Sequence, residues 1–235
     1  MKASAKNRMK IAPSLVLFDI DGTLLRRAGP HHREALVEAI RKTTGLATTT
    51  DRIPLYGMLD PVIIGEMLRR AGVAELAIRE ALPEVMRRAQ SIYARRCPDL
   101  ARKTCPGVRR LLTRLERRGV ALGLVTGNLT RIGWKKMERA GLKGHFRFGA
   151  FGEMADNRAG LVRLAVEEAR RRGWIDGATP VSFIGDAPND ILAAQAAEVR
   201  SIAVATGVVE MEELRAYSPD YLLEDLRELR VEMVL

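Results

Sequence analysis

The apolar segment Leu15-Val16-Leu17-Phe18 runs directly into two carboxylates one residue apart, Asp19 and Asp21, and then into Gly22. A continuous Leu/Val/Phe run bounded by glycine is the pattern of a strand covered on both faces, as in a parallel sheet. Asp19 and Asp21 then stand at its carboxyl end, where open α/β sheets place their ligands. Two carboxylates held that close repel one another, so burying them is costly without a cation or a shared proton. The pair points to a bound cation.

Three later segments repeat the pattern. Residues 120–125 end in Thr126-Gly127-Asn128, residues 181–184 end in Gly185-Asp186, and residues 201–204 end near Thr206-Gly207. Amphipathic helical patterns lie between them, over 107–118, 130–140, 159–172 and 190–197. Strands alternating with helices of that length predict βαβ units and an α/β fold with a doubly wound parallel sheet. Right-handed crossovers bring the carboxyl ends of such strands to one edge, so Asp19, Asp21, Thr126 and Asp186 are expected to meet in one crevice. Between Leu25 and Lys103 the alternation stops. Only helical patterns occur there, over 32–44, 61–71 and 75–95, with Pro83 marking a helix start or kink and a Thr-rich loop over 47–59. This predicts an all-helical insertion, 29–103, capping a core made of 14–28 and 104–235. A basic, disordered tail over 1–13 precedes it.

The 235 residues are 47% hydrophobic and 29% charged, an ordinary balance for a globular protein with a substantial core. No apolar stretch approaches the length of a membrane span, and the N-terminus lacks the apolar segment of a secretory signal, so the cytoplasm is the expected compartment. The net charge of +10 raises the question of a nucleic-acid partner. Its arginines, as in Arg69-Arg70, Arg117-Arg118 and Arg170-Arg171-Arg172, alternate with glutamates and apolar residues and carry no aromatic platform. They read as solvated helix faces, which argues against nucleic acid and leaves a field that attracts small anions. Cys97 and Cys105 are too few for a disulfide framework or a zinc site.

Asp19-Ile20-Asp21-Gly22-Thr23-Leu24 resembles the first motif of the haloacid dehalogenase superfamily in its phosphatase form. Val125-Thr126-Gly127-Asn128 resembles the second motif, and Ile184-Gly185-Asp186-Ala187-Pro188-Asn189-Asp190 the fourth. The insertion is similar to the type-one cap of phosphoglycolate-phosphatase-like members, and the resemblance spans the chain after its tail. It implies a Rossmann-like core and a Mg²⁺-dependent phosphatase acting on a small phosphorylated metabolite. It assigns the nucleophile, which forms an acyl phosphate, to Asp19. Asp21 becomes the general acid and then the general base. Gly22 would turn the chain away from the strand, with Thr23 hydrogen-bonding across that turn. Mg²⁺ prefers oxygen ligands and keeps several waters. The implied ligands are the carboxylates of Asp19 and Asp186 and the backbone carbonyl of Asp21, with Asp190 orienting that shell. Thr126, Gly127 and Asn128 would bind phosphate oxygens at the start of the following helix.

The third motif departs from the family's plainest form, because no Lys-Pro segment precedes the fourth. Two cations remain to hold nucleophile and phosphate together: Arg158, opening a helix at about the right interval, or Lys136, on the helix after the second motif. Gly57 and Asp60 resemble a Gly-x-x-Asp segment of a specificity loop, letters that a turn and a helix N-cap also explain. His31, His32 and His145 lack ligand spacing and read as exposed loop histidines. Phe151-Gly152-Glu153 has no assigned role. Asp21 argues against dehalogenation. A sugar phosphomutase of the same superfamily would keep all these residues. A phospho-acceptor signalling module would lack the Asp-x-Asp-Gly-Thr segment and the insertion.

Overall fold

The computed structural model of the chain describes residues 11–26 and 29–235. Its centre is β1 (Leu15–Phe18), flanked on one side by β2 (Ala121–Val125) and β3 (Phe148–Ala150). On the other side lie β4 (Val181–Gly185), β5 (Arg200–Val204) and β6 (Tyr221–Leu223). The order is β3-β2-β1-β4-β5-β6 and every pairing is parallel. Leu15 pairs with both Ala121 and Val181, so β1 has no free edge and all four of its residues are buried. Side chains alternate across it. Val16 and Phe18 join one core with Leu111, Leu112 and Leu115 of α4 (Val108–Arg117), whereas Leu15 and Leu17 join another with Leu161, Val162 and Ala165 of α6 (Arg158–Arg171). Two-sided burial of this kind is why the strand is written without polar interruption. The strand order reverses direction beside β1, which makes the carboxyl ends of β1 and β4 the switch point where ligands bind in such sheets.

Residues beyond Leu25 leave the sheet and form α1 (His31–Thr44), α2 (Asp60–Arg70) and α3 (Glu75–Arg96), and the chain returns at Thr104. Departure and return are tied together. Leu25 and Thr104 form an antiparallel bridge, and the Arg26 N–H donates to the Lys103 carbonyl at 2.8 Å. The three helices share a core of their own, including Leu36, Ile40, Ile64, Leu68, Ile92 and Tyr93. Leu129 and Ile132, at and within the start of α5 (Thr130–Arg139), reach into it from the sheet side. No helix among the described residues is long and apolar enough to cross a membrane.

Several details differ from the sequence expectation. Most of the tail expected over 1–13 lies outside the described residues. Its last three residues run beside the sheet, where the Ala12 N–H donates to the Trp174 carbonyl at 2.8 Å. Pro83 neither starts nor divides α3. The helix begins at Glu75, and the carbonyl that proline leaves without a donor belongs to Arg79, which is exposed to water. β3 and β6 have three residues each, too few to show a pattern, and the six-residue α8 (Met211–Ala216) is equally short. They escape sequence reading for the same reason.

Candidate active site

The sheet's carboxyl edge assembles the acidic residues. The Asp19 N–H donates to the Ile184 carbonyl at 2.9 Å, carrying the β1–β4 ladder one residue past the strand. Gly22, at φ +91°, then reverses the chain, and its N–H donates to the Leu25 carbonyl at 2.7 Å. Only glycine adopts that φ without strain, and here it also gives room. A Cβ on Gly22 would fall 2.0 Å from Asp186 Oδ2, and one on Gly207 1.8 Å from the same oxygen. Thr23 does not bond across its own turn. Its hydroxyl donates to Asp186 Oδ1 at 3.0 Å, joining the first acidic segment to the last.

Asp19, Asp186 and Asp190 are all buried, each offering a carboxylate oxygen within 4.8 Å of the others. Arg158, on the first turn of α6, is buried beside them. Its Nη2 lies 2.8 Å from Asp19 Oδ1, and its Nε pairs with Asp190 Oδ1. Asp190 Oδ2 accepts the N–H groups of Asp186 and Ala187 at 3.1 and 3.0 Å, at the start of α7 (Pro188–Ala196). Both oxygens of Asp190 are therefore engaged, which suits it to orienting its neighbours. Three carboxylates face one guanidinium, so full ionisation would leave two negative charges in a dry site. Burial pushes the Asp19 carboxyl up to about 7, with Arg158 opposing and Asp190 and Asp21 adding to the rise. Burial, then Asp190 and Asp19, raises Asp186 well above its ordinary range. A divalent cation fits this donor set, because hard oxygen ligands and an uncompensated double charge are what such an ion requires.

Asp21 belongs to a different network. Its Oδ2 accepts from Lys136 Nζ at 2.5 Å and from Asn128 Nδ2 at 2.8 Å. Burial works against its ionisation, but the Lys136 charge, with the hydrogen bonds from Lys136 and Asn128, outweighs that and holds its carboxyl below the usual value. Asn128 also donates to Thr126 Oγ1 at 2.7 Å and accepts from Lys136 at 2.6 Å, which fixes the orientation of its amide. Because the Thr126 oxygen already accepts, its own proton remains free to donate into the crevice. The two candidate cations thus do not compete: Arg158 touches Asp19, and Lys136 touches Asp21.

Above the edge lies a cavity of about 190 Å³, walled by Leu36, Leu55, Met58 and Ile63 from the helical layer and open to Asp19 and Thr126 below. The layer is pressed onto the sheet. The Asp60 N–H donates to the Gly127 carbonyl at 2.8 Å, and a Cβ on Gly127 would meet the Met58 carbonyl oxygen at 2.1 Å. Sequence reasoning did not foresee the contacts of three contributors, although it had singled out Asp60. His32 is not an exposed loop residue: it sits in the first turn of α1 and contacts Lys136 Nζ at 3.2 Å and Asp60 Oδ2 at 3.0 Å. The signal was available, since His32 precedes Ala35 and Leu36 by three and four residues and so continues the apolar face of α1. Asp60 does not cap its own helix. Leu59 holds the cap position of α2, while Asp60 Oδ2 accepts the Leu129 N–H at 2.8 Å. Glu153 accepts the Thr130 N–H at 2.9 Å and closes the start of α5, and Phe151 packs under Gly133 in the core.

A family model described as haloacid dehalogenase-like hydrolase matches residues 13–198. The chain belongs to that family. This hydrolase is 31% identical to a phosphoglycolate phosphatase of Xanthomonas campestris pv. campestris, over 83% of its own length and 84% of that protein. It is 27% identical to a phosphoglycolate phosphatase of Synechococcus elongatus, over 89% and 92%. Among solved structures, CbbY from Rhodobacter sphaeroides in complex with xylulose 1,5-bisphosphate superposes with a TM-score of 0.70 at 23% identity. That match covers 94% of this chain and 98% of CbbY, and it speaks for the fold. The hydrolase is therefore phosphoglycolate-phosphatase-like in sequence and Rossmann-like in its core.

Proposed function

We propose that the chain is a Mg²⁺-dependent phosphatase that releases inorganic phosphate from a small phosphorylated metabolite through an acyl phosphate on Asp19. The observation that carries this is the separation of two carboxylates by their surroundings. Asp19 lies in the electron-rich trio against Arg158, and Asp21 is held as an anion by Lys136. Adjacent carboxylates with different environments take different roles in acid–base and nucleophilic work. Asp19, Asp186 and the Asp21 carbonyl would hold the ion, oriented by Asp190, and its charge would let a phosphate dianion approach a carboxylate.

In the first half-reaction Asp19 Oδ attacks phosphorus and the bond to the substrate oxygen breaks; Asp21, which takes a proton from solvent once the phosphate dianion is bound beside it, hands that proton to the leaving oxygen and returns to the carboxylate that Lys136 holds. In the second, water attacks the same phosphorus, its proton passes to Asp21, and the electron pair of the P–O bond returns to Asp19. Arg158 spans nucleophile and phosphoryl oxygen, and Thr126 donates its free hydroxyl with the N–H groups following β2. The helical segment serves as a cap over the crevice, and the small cavity beneath it, with charged as well as apolar walls, favours a compact substrate. The relatives named phosphoglycolate phosphatase make phosphoglycolate the first to try. The free thiols Cys97 and Cys105 fit a reducing cytoplasm.

The test is Asp19→Asn assayed for phosphate release over a panel of phosphorylated metabolites, with isomerised sugar phosphate measured alongside. Turnover by the wild type and none by the variant, which still folds, is the expected result. Near wild-type turnover in the variant overturns the assignment, and isomerisation without phosphate release makes the enzyme a mutase.

A further inference from the structure

A continuous run of polar contacts joins Asp21 to the helical layer and back to the core. Lys136 is only 1% exposed and has three N–H groups for three acceptors: Asp21 Oδ2 at 2.5 Å, Asn128 Oδ1 at 2.6 Å and His32 Nδ1 at 3.2 Å. An ammonium cannot accept a hydrogen bond, so His32 Nδ1 is the acceptor and the ring carries its proton on Nε2. That N–H faces Asp60 Oδ2 at 3.0 Å, and the same oxygen takes the Leu129 N–H at 2.8 Å. His32 opens α1 and Asp60 opens α2, whereas Lys136 and Leu129 belong to α5 and its start. Two of the layer's three helices are thus pinned to one core helix, and one of the pins is the group that grips Asp21. The edge of Tyr93, with ring centroids 5.6 Å apart, packs the His32 ring in place. A buried ammonium costs stability that an apolar side chain would not, so its retention is poorly explained by folding alone.

We propose that His32 and Asp60 are positioning residues for the hydrolysis half of the reaction: with the helical layer seated, they fix the Lys136 ammonium, and Lys136 fixes the Asp21 carboxylate where it receives the proton of the attacking water. The inference rests on the role of Asp21 proposed above. When the layer lifts, His32 and Asp60 leave together and the ammonium is free to turn away from Asp21. Seating of the layer and alignment of the base are then a single event, so the acyl phosphate is hydrolysed under a closed layer.

The test uses the full-length enzyme and p-nitrophenyl phosphate, whose leaving group needs no proton, so that hydrolysis of the acyl phosphate limits turnover. His32→Phe keeps the ring against Tyr93 and deletes both nitrogens. It is expected to lower kcat about tenfold, part of the usual worth of a positioned base, with KM falling in step. The ratio kcat/KM then stays constant, and a burst of p-nitrophenol approaching one per enzyme appears. His32→Gln, which offers an acceptor and a donor, is expected to recover part of kcat. Should phenylalanine prevent folding, His32→Leu gives the same readout. A loss of kcat/KM with kcat intact would assign His32 to substrate binding and overturn the proposal, as would wild-type kinetics. Asp21→Asn measured in parallel separates the two levels. Intact kcat and no burst in that variant remove the Asp21 role itself. A burst there beside wild-type behaviour of His32→Phe removes only the link through the layer.

Discussion

The crowding of Asp19, Asp186 and Asp190 has a measurable consequence for stability in the metal-free protein. Burial, chiefly, places the Asp19 carboxyl at about 7, against an ordinary 3.8. Between those values the folded chain binds a proton that the unfolded chain has lost, so stability falls as pH rises through that window. One such group costs about 1.4 kcal/mol per pH unit at full slope, and the slope halves as pH reaches 7, so Asp19 alone removes about 2 kcal/mol between pH 5 and pH 7. Asp186, also raised, acts in the same direction. Exposed carboxylates beside arginines, such as Glu84 at about 2, titrate below pH 5 and do not enter the window. A loss of this size is a large share of the roughly 5–15 kcal/mol that holds a typical domain together. The assay is urea unfolding in excess chelator at pH 5, 6, 7 and 8. The midpoint should fall between pH 5 and pH 7, and a divalent ion that binds only the folded chain should restore it at pH 8. Asp186→Asn, which removes one of the crowded charges, should stabilise the chelated protein at pH 8. Stability that is flat or rises from pH 5 to pH 7 in chelator would refute the argument that these carboxylates share one dry site.

Two further outcomes follow from close contacts. Gly127→Ala places a methyl group 2.1 Å from the Met58 carbonyl oxygen, so the loop ahead of α2 must retreat. Steady-state kinetics should show KM raised about tenfold, equivalent to about 1.4 kcal/mol of lost binding, and because the clash is with backbone the melting temperature should fall as well. Glu153→Ala strips the start of α5 of its acceptor and its favourable charge. It should lower the unfolding free energy by about 1 kcal/mol in denaturant titration.

The sheet was legible because β1, β2 and β4 are buried on both faces and so written as unbroken apolar runs. β3 and β6 were not, since three residues cannot carry a period. The acidic edge was legible for a related reason: each carboxylate directly follows a strand, and parallel strands deliver their ends to one place. What the letters withheld was pairing. Arg158 and Lys136 looked like alternatives for one task, yet the structure sets one on Asp19 and the other on Asp21, because the helices that carry them approach from opposite faces of the sheet. What His32 and Asp60 reach across to stayed hidden because Lys136 and Leu129 lie more than 60 residues away along the chain, on α5 and at its start.

Leu55 and Met58, which wall the cavity, belong to the connection between α1 and α2, whereas Asp19, Asp186 and Asp190 stand at the ends of β1 and β4 and in the first turn of α7. The surface that meets the substrate and the carboxylates that do the chemistry are thus written in separate stretches of the chain. A substitution at Leu55 or Met58 can change which molecule fits the cavity and leave the three carboxylates with the partners they have.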